Sequence, residues 1–154
     1  MADRPHILFN RKKQKYVRRI RIMEPDGQSM TVFTADRFTG PYTKMREHFH
    51  PLGMNSGEFD LAEDGEGHGC IYFEKVPAET GCTELSEDRT GVNEVYSFHF
   101  PHPEGPPAVR KVKTHFVRKG RHSLLIAGTT GCRPNPTEAA GDSFHGPFAP
   151  LPDP

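Results

Sequence analysis

Tryptophan is absent from this 154-residue chain, and apolar residues make up only 34% of it. A large apolar core is therefore excluded, and the chain sits at the polar, loop-rich edge of globular composition. Net charge is absent too, because 20 Lys and Arg balance 20 Asp and Glu. That balance gives no global pull toward nucleic acid or an anionic membrane surface. No apolar run approaches the roughly 18 residues of a membrane span. The start, Met-Ala-Asp-Arg-Pro-His, lacks the unbroken apolar stretch of a secretory leader, so a cytoplasmic, membrane-free protein is expected. Cysteine is scarce. Cys70, Cys82 and Cys132 form no C-x-x-C pair, which excludes a disulfide framework and a Cys-only zinc site and leaves reduced, partly buried thiols as the expectation. Nor is there a nucleophile elbow, a Ser-His-Asp signature or a phosphate-cradling glycine loop.

Glycine and proline, 15 each, and nine histidines are what the chain has in quantity. Its length suits a single domain. Tyr16 to Met23 (Y-V-R-R-I-R-I-M) alternates imperfectly, Pro25-Asp26-Gly27 is turn chemistry, and Met30 to Thr34 resumes strand composition. This predicts a β-hairpin over about 16–35. Tyr42 to Phe49 is expected to form a helix of about two turns that stops before Pro51. The acidic, glycine-rich stretch over 53–69 reads as a surface loop. Cys70-Ile71-Tyr72-Phe73, Val92 to Phe100, Val109 to Val117 and Ser123 to Ala127 read as strands. The short Gly120-Arg121 link predicts that the last two pair as a hairpin. Divided by composition, 1–15 is a basic arm, 16–131 a β-rich domain and 132–154 an irregular Pro/Gly-rich tail.

Few constellations carry chemistry. The basic run Arg11-Lys12-Lys13-Gln14-Lys15-Tyr16, continued by Arg18, Arg19 and Arg21, could contact phosphates. With only Phe9 and Tyr16 nearby to stack on bases, nucleic acid is not an expected partner and a charged strand edge is the better reading. His48-x-His50 followed by Glu58 could offer three metal ligands and is similar to the cupin metal motif, with Gly65 beyond it. The spacer from His50 to Glu58 is longer than that motif, so no metal and no cofactor is assigned. His99 with His102, and His115 with His122, lack a Cys or acidic partner at ligand spacing and read as surface or hydrogen-bonded histidines.

A longer pattern runs through His50-Pro51, Gly53-Met54-Asn55 and Asp64-Gly65, then Phe98-His99-Phe100-Pro101-His102-Pro103, Lys113-Thr114-His115-Phe116 and Leu125-Ile126-Ala127-Gly128. Over about 45–130 this order resembles a single Cache domain, a PAS-like sensory module. The resemblance implies an α+β fold, with a curved antiparallel sheet of five or six strands, few short helices and irregular termini. It also implies a pocket walled by Phe98, Phe100, Phe116 and Tyr72, in which Lys113, with His50 and Arg46, would hold a small carboxylate or amino acid. On that reading the protein is a non-enzymatic ligand-binding domain, extracytoplasmic if the resemblance is functional. Two alternatives stay open. One is an assembly subunit whose hairpin and tail contact a protein partner or a second copy, and the other is a cupin-like metalloenzyme built on His48, His50 and Glu58.

Overall fold

The computed structural model describes residues 1–76, 79–101, 111–127 and 137–150, and the side chains of these except at 111–113, 127, 137 and 150. The chain runs as β1 (Ala2–Asn10), β2 (Lys15–Glu24), β3 (Gly27–Ala35), β4 (Thr43–Phe49), a 3-10 turn (Pro51–Gly53), β5 (Ser56–Glu63), β6 (Gly69–Lys75), β7 (Glu79–Leu85), β8 (Val92–His99), β9 (Lys111–Arg118), β10 (Arg121–Ala127), β11 (Thr137–Gly141) and β12 (Ala149–Pro150). These form three four-stranded antiparallel sheets, each strand pairing with the next in sequence: β1 to β4, β5 to β8 and β9 to β12. The first strand of the middle sheet, β5, packs against both β1 and β9. The opening strands of the three sheets therefore share one axis and the closing strands lie outward, which is the layout of consecutive propeller blades.

This overturns the α+β, Cache-like expectation. Among the described residues there is no α-helix, and twelve strands stand where five or six were expected. The reasons are local. Met45 and Phe49, four apart, imitate a helical face, yet Thr43–Phe49 pairs with β3 through Met30↔Phe49, Val32↔Arg46 and Thr34↔Thr43 and forms a solvated outer strand. The stretch expected to be a loop contains β5, whose Phe59 and Leu61 alternate with Glu58 and Asp60; acidic content masked a period of two. β7, Glu-Thr-Gly-Cys-Thr-Glu-Leu, is polar in composition but buried between β6 and β8. The described residues of both end segments join sheets: β1 pairs with β2 from Ala2↔Ile22 to Asn10↔Lys15, and β11 pairs with β10 from His122↔Gly141 to Ile126↔Thr137. The hairpin over 16–35 does form, with Glu24↔Gly27 closing it, as does the one joining β9 to β10.

The core has two parts, one on each face of the middle sheet. Ile71 and Phe73 join Met30, Phe59 and Leu85 toward the first sheet. Cys70 and Tyr72 join Ala62, Cys82, Leu124, Ile126, Ala139 and Phe144 toward the third. All four of these β6 residues are fully buried. A strand covered on both faces has no polar side to show, which is why Cys-Ile-Tyr-Phe is a continuous apolar run rather than an alternation.

Packing against β6 is tight at Gly81, opposite Phe73 in the ladder, where a Cβ would lie 2.5 Å from the Phe73 ring. Gly81→Ala is expected to destabilise the fold by about 1–3 kcal/mol through overpacking. Gly65→Ala, at an exposed position with nothing within 4 Å of its Cβ, should fall within about 0.5 kcal/mol of wild type. Urea unfolding of the two variants checks both.

Candidate functional site

The inner strands bring together charged groups that lie far apart in sequence. Pro5 interrupts β1, since it has no N–H to give the ladder. The register of β1 shifts between Asp3 and His6, with Arg4 at a positive φ of 49°. From this irregular segment Arg4 Nη2 donates to Glu58 Oε1 at 2.7 Å, joining β1 to β5. Asp3 is held on the other side by the fork of Arg21, Nε to Oδ1 at 2.7 Å and Nη2 to Oδ2 at 2.5 Å. Two residues along, His6 Nδ1 lies 3.1 Å from Asp60 Oδ1, and Asp60 Oδ2 accepts the His115 backbone N–H at 3.0 Å. Asp60 thus ties all three inner strands.

Gly57 makes this arrangement possible. A Cβ there would sit 2.3 Å from Glu74 Oε2, the atom that accepts the Glu58 backbone N–H at 3.4 Å. Glycine lets the Glu74 carboxylate close on the β5 backbone, and the register of β5 on β6 shifts between Ser56 and Phe59 at this point. Glu58 and Asp60 are 10% and 14% exposed at the side chain, whereas Asp3 and Arg4 reach 31% and 38%, so the cluster opens to solvent on the Asp3 and Arg4 side. The Arg21 hydrogen bonds hold the Asp3 carboxyl below its ordinary value, against the opposing cost of burial. Asp3 is an ionised acceptor at neutral pH.

The residues singled out from sequence are dispersed. Tyr72 is buried between the second and third sheets, its hydroxyl donating to Phe144 O at 2.7 Å, and Phe100 packs at the edge of that core. Phe98 packs in the other core, with Lys75 Nζ 4.7 Å from its ring centroid. Phe98 and Phe100 would share a face in a continuing strand, but β8 ends at His99 and Phe100 turns at φ 55°. Phe116 is half-buried on β9, and Arg46 is exposed on the outer strand β4. His50 lines a cleft of about 640 Å³ with Leu52, Met54, Val92 and Tyr96. The Lys113 side chain, His102 and Cys132 lie outside the described residues. His48 pairs with Glu24 at 2.7 Å while Glu58 pairs with Arg4, so His48 and Glu58 serve different partners. Sequence reasoning passed over Asp3, Arg4 and Asp60, and took Arg21 only as part of a basic run. The only local signal was the Asp-Arg-Pro triplet that breaks β1, because the pairing itself crosses up to 55 residues.

No protein-family model matches the chain, and none of the curated proteins matches it significantly. Solved structures do. The chain is similar to a β-1,3-galactosidase of glycoside hydrolase family 43, with 19% identity, a TM-score of 0.84, and 98% of this chain matching 32% of that one. It is similar to the exo-β-1,3-galactanase of Phanerochaete chrysosporium solved with galactose, with 21% identity, a TM-score of 0.81, and 98% against 35%. It is also similar to an endo-arabinase of Bacteroides thetaiotaomicron, with 17% identity, a TM-score of 0.74, and 97% against 60%. These neighbours are five-bladed propellers, and the chain spans between a third and three fifths of their length. The likeness establishes the fold as propeller blades of this type. It replaces the Cache resemblance, whose short motifs are divided, among the described residues, between inter-strand turns, β8 of the middle sheet and β9 and β10 of the third, and it removes the basis for a non-enzymatic sensory domain. Among the described residues no helix is long and apolar enough to cross a membrane.

One histidine at the inner strands sets a pH response. His115 stacks on Tyr72 with ring centroids 5.4 Å apart, and its Nε2 lies 3.0 Å from His122 Nδ1. Burial, then the charge of His122, push its pKa down to about 4, against the attraction of Asp60. Between that value and the ordinary 6.5 the unfolded chain binds more protons than the folded one. The contribution is therefore fully present above pH 6.5 and is lost as pH falls toward 4. Urea midpoints should decline from pH 7 to pH 5 in wild type. The decline should be shallower in His115→Gln, with a residual slope from His99 and His122, which burial also lowers.

Proposed function

We propose that this chain forms three blades of a propeller that binds and hydrolyses a β-linked galactoside at the end of the axis where Asp3, Arg4 and Glu58 meet. The observation that carries the reading is the cluster itself: carboxylates from two inner strands, pinned by arginines and opening to solvent. Glycoside hydrolysis needs a pair of carboxyl groups about the scissile bond, one anionic and one proton-donating, with hydrogen bonds to the sugar hydroxyls. Asp3 suits the anionic side and Glu58 the second, proton-transferring carboxyl of the pair, and Arg4 can donate to hydroxyl oxygens while it positions Glu58. The neighbours described as a β-1,3-galactosidase and an exo-β-1,3-galactanase, the latter solved with galactose, support a galactoside over other sugars.

The test is release of galactose from β-1,3-galactobiose, together with calorimetric titration of galactose. Wild type should bind galactose and release it from the disaccharide. Glu58→Gln, which keeps the side-chain shape, should lower the rate on the order of 10²- to 10⁴-fold while leaving the folded state intact by circular dichroism. Neither binding nor release by wild type, or an unchanged rate in Glu58→Gln, would sink the assignment.

A further inference from the structure

We propose that Cys70, Cys82 and His145 bind a zinc-class divalent cation and thereby fasten the β11–β12 loop of the third sheet to the middle sheet. A Sγ from each cysteine and a ring nitrogen of His145 all lie within 4.8 Å of one another. Both thiols are fully buried. The placement follows from the ladder. Cys70 on β6 sits directly across from Glu84 on β7, and Cys82, two residues before Glu84, shares its face. The two sulfurs and the Glu84 carboxylate therefore crowd one patch.

His145 arrives from the opposite side. Phe144 is buried in the core between these sheets, and the Tyr72 hydroxyl holds its carbonyl, so the loop is pinned one residue before the histidine. Ser97 Oγ lies 3.0 Å from His145 Nδ1 and orients the ring. That leaves Nε2 buried and without a hydrogen-bond partner, 3.8 Å from Glu84 Oε1.

The donor set has the chemistry of a thiolate-binding ion. Two sulfurs and an imidazole favour zinc over oxygen-seeking cations such as calcium or magnesium. Glu84 or a water would complete four-coordination. Metal–sulfur bonds of about 2.3 Å and metal–nitrogen bonds of about 2.0 Å place tetrahedral donors roughly 3.3–3.8 Å apart. Donors within 4.8 Å of one another close onto an ion with a contraction of at most roughly 1–1.5 Å. Binding releases two protons from the group formed by Cys70, Cys82 and His145, forms two metal–sulfur bonds and one metal–nitrogen bond, and changes no oxidation state. A surface cleft of about 500 Å³, lined by His145 together with His99, Phe100 and Phe148, supplies the entry path.

The experiment uses the full chain, reduced and stripped with chelator, then titrated with Co²⁺ as a spectroscopic substitute for Zn²⁺. One equivalent should produce thiolate-to-cobalt charge-transfer absorption and the visible bands of a tetrahedral ion. Zn²⁺ should displace them and raise the unfolding midpoint. Cys132→Ser should leave the spectrum unchanged, whereas Cys82→Ser should abolish the charge-transfer band. His145→Asn, milder because it keeps both thiols, should weaken binding and alter the visible bands, so a misfolded Cys82→Ser does not decide the matter. Absence of the bands in wild type, their survival in Cys82→Ser, or their loss in Cys132→Ser would overturn the proposal. So would finding Cys70 and Cys82 joined as a disulfide before reduction.

Discussion

Burial of β6 on both of its faces is the constraint on which the other contacts depend. Residues 70 to 73 send side chains alternately toward the first and the third sheet. Each of those sheets in turn covers an apolar surface that the middle sheet cannot hide by itself. At roughly 25 cal/mol per Å² of apolar surface removed from water, a strand clamped in this way fixes the angle between neighbouring blades as well as their contact. Gly81 shows how little slack remains, since the Phe73 ring fills the space where a side chain would stand.

The charged cluster on the inner strands follows from that clamp. Once the sheets are set, β1, β5 and β9 lie side by side, and Asp60 reaches both His6 and the His115 backbone. Pairing every carboxylate with a cation or a backbone donor is what makes their partial burial tolerable, because removing one partner leaves an uncompensated charge. The same pairing orients Asp3 and Glu58 and keeps Asp3 ionised, which suits the galactoside site proposed above.

The face of the middle sheet turned to the third carries a different chemistry. Tyr72, which the Cache resemblance placed in a ligand pocket, anchors Phe144 instead, and through that anchor His145 meets two cysteines separated from it by more than sixty residues. Cys82, with a hydrogen bond from the Cys70 thiol and with His145 beside it, has its pKa lowered to about 6 against the cost of burial, and proximity to that sulfur raises His145.

By itself the sequence determined the elements whose signal is local. These are the hairpin around Pro25-Asp26-Gly27, the apolar run of β6, the aromatic strand β8, and the tight link between β9 and β10. It also excluded a framework of disulfides. It misled at β4, where Met45 and Phe49 imitate a helical face on a solvated outer strand, and where polar composition hid a buried strand, as in β5 and β7, because burial there is supplied by neighbouring strands rather than by the residues' own hydrophobicity. Of the candidate site it named Glu58, as a metal-ligand candidate with His48 and His50, and it passed over the break at Pro5. The tertiary structure alone decided that Arg4 faces Glu58, that Arg21 holds Asp3, and that Cys70, Cys82 and His145 converge. Contacts across antiparallel sheets and between sheets have no fixed spacing along the chain, so their partners become visible only when the register of each ladder and the packing of one blade on the next are in place.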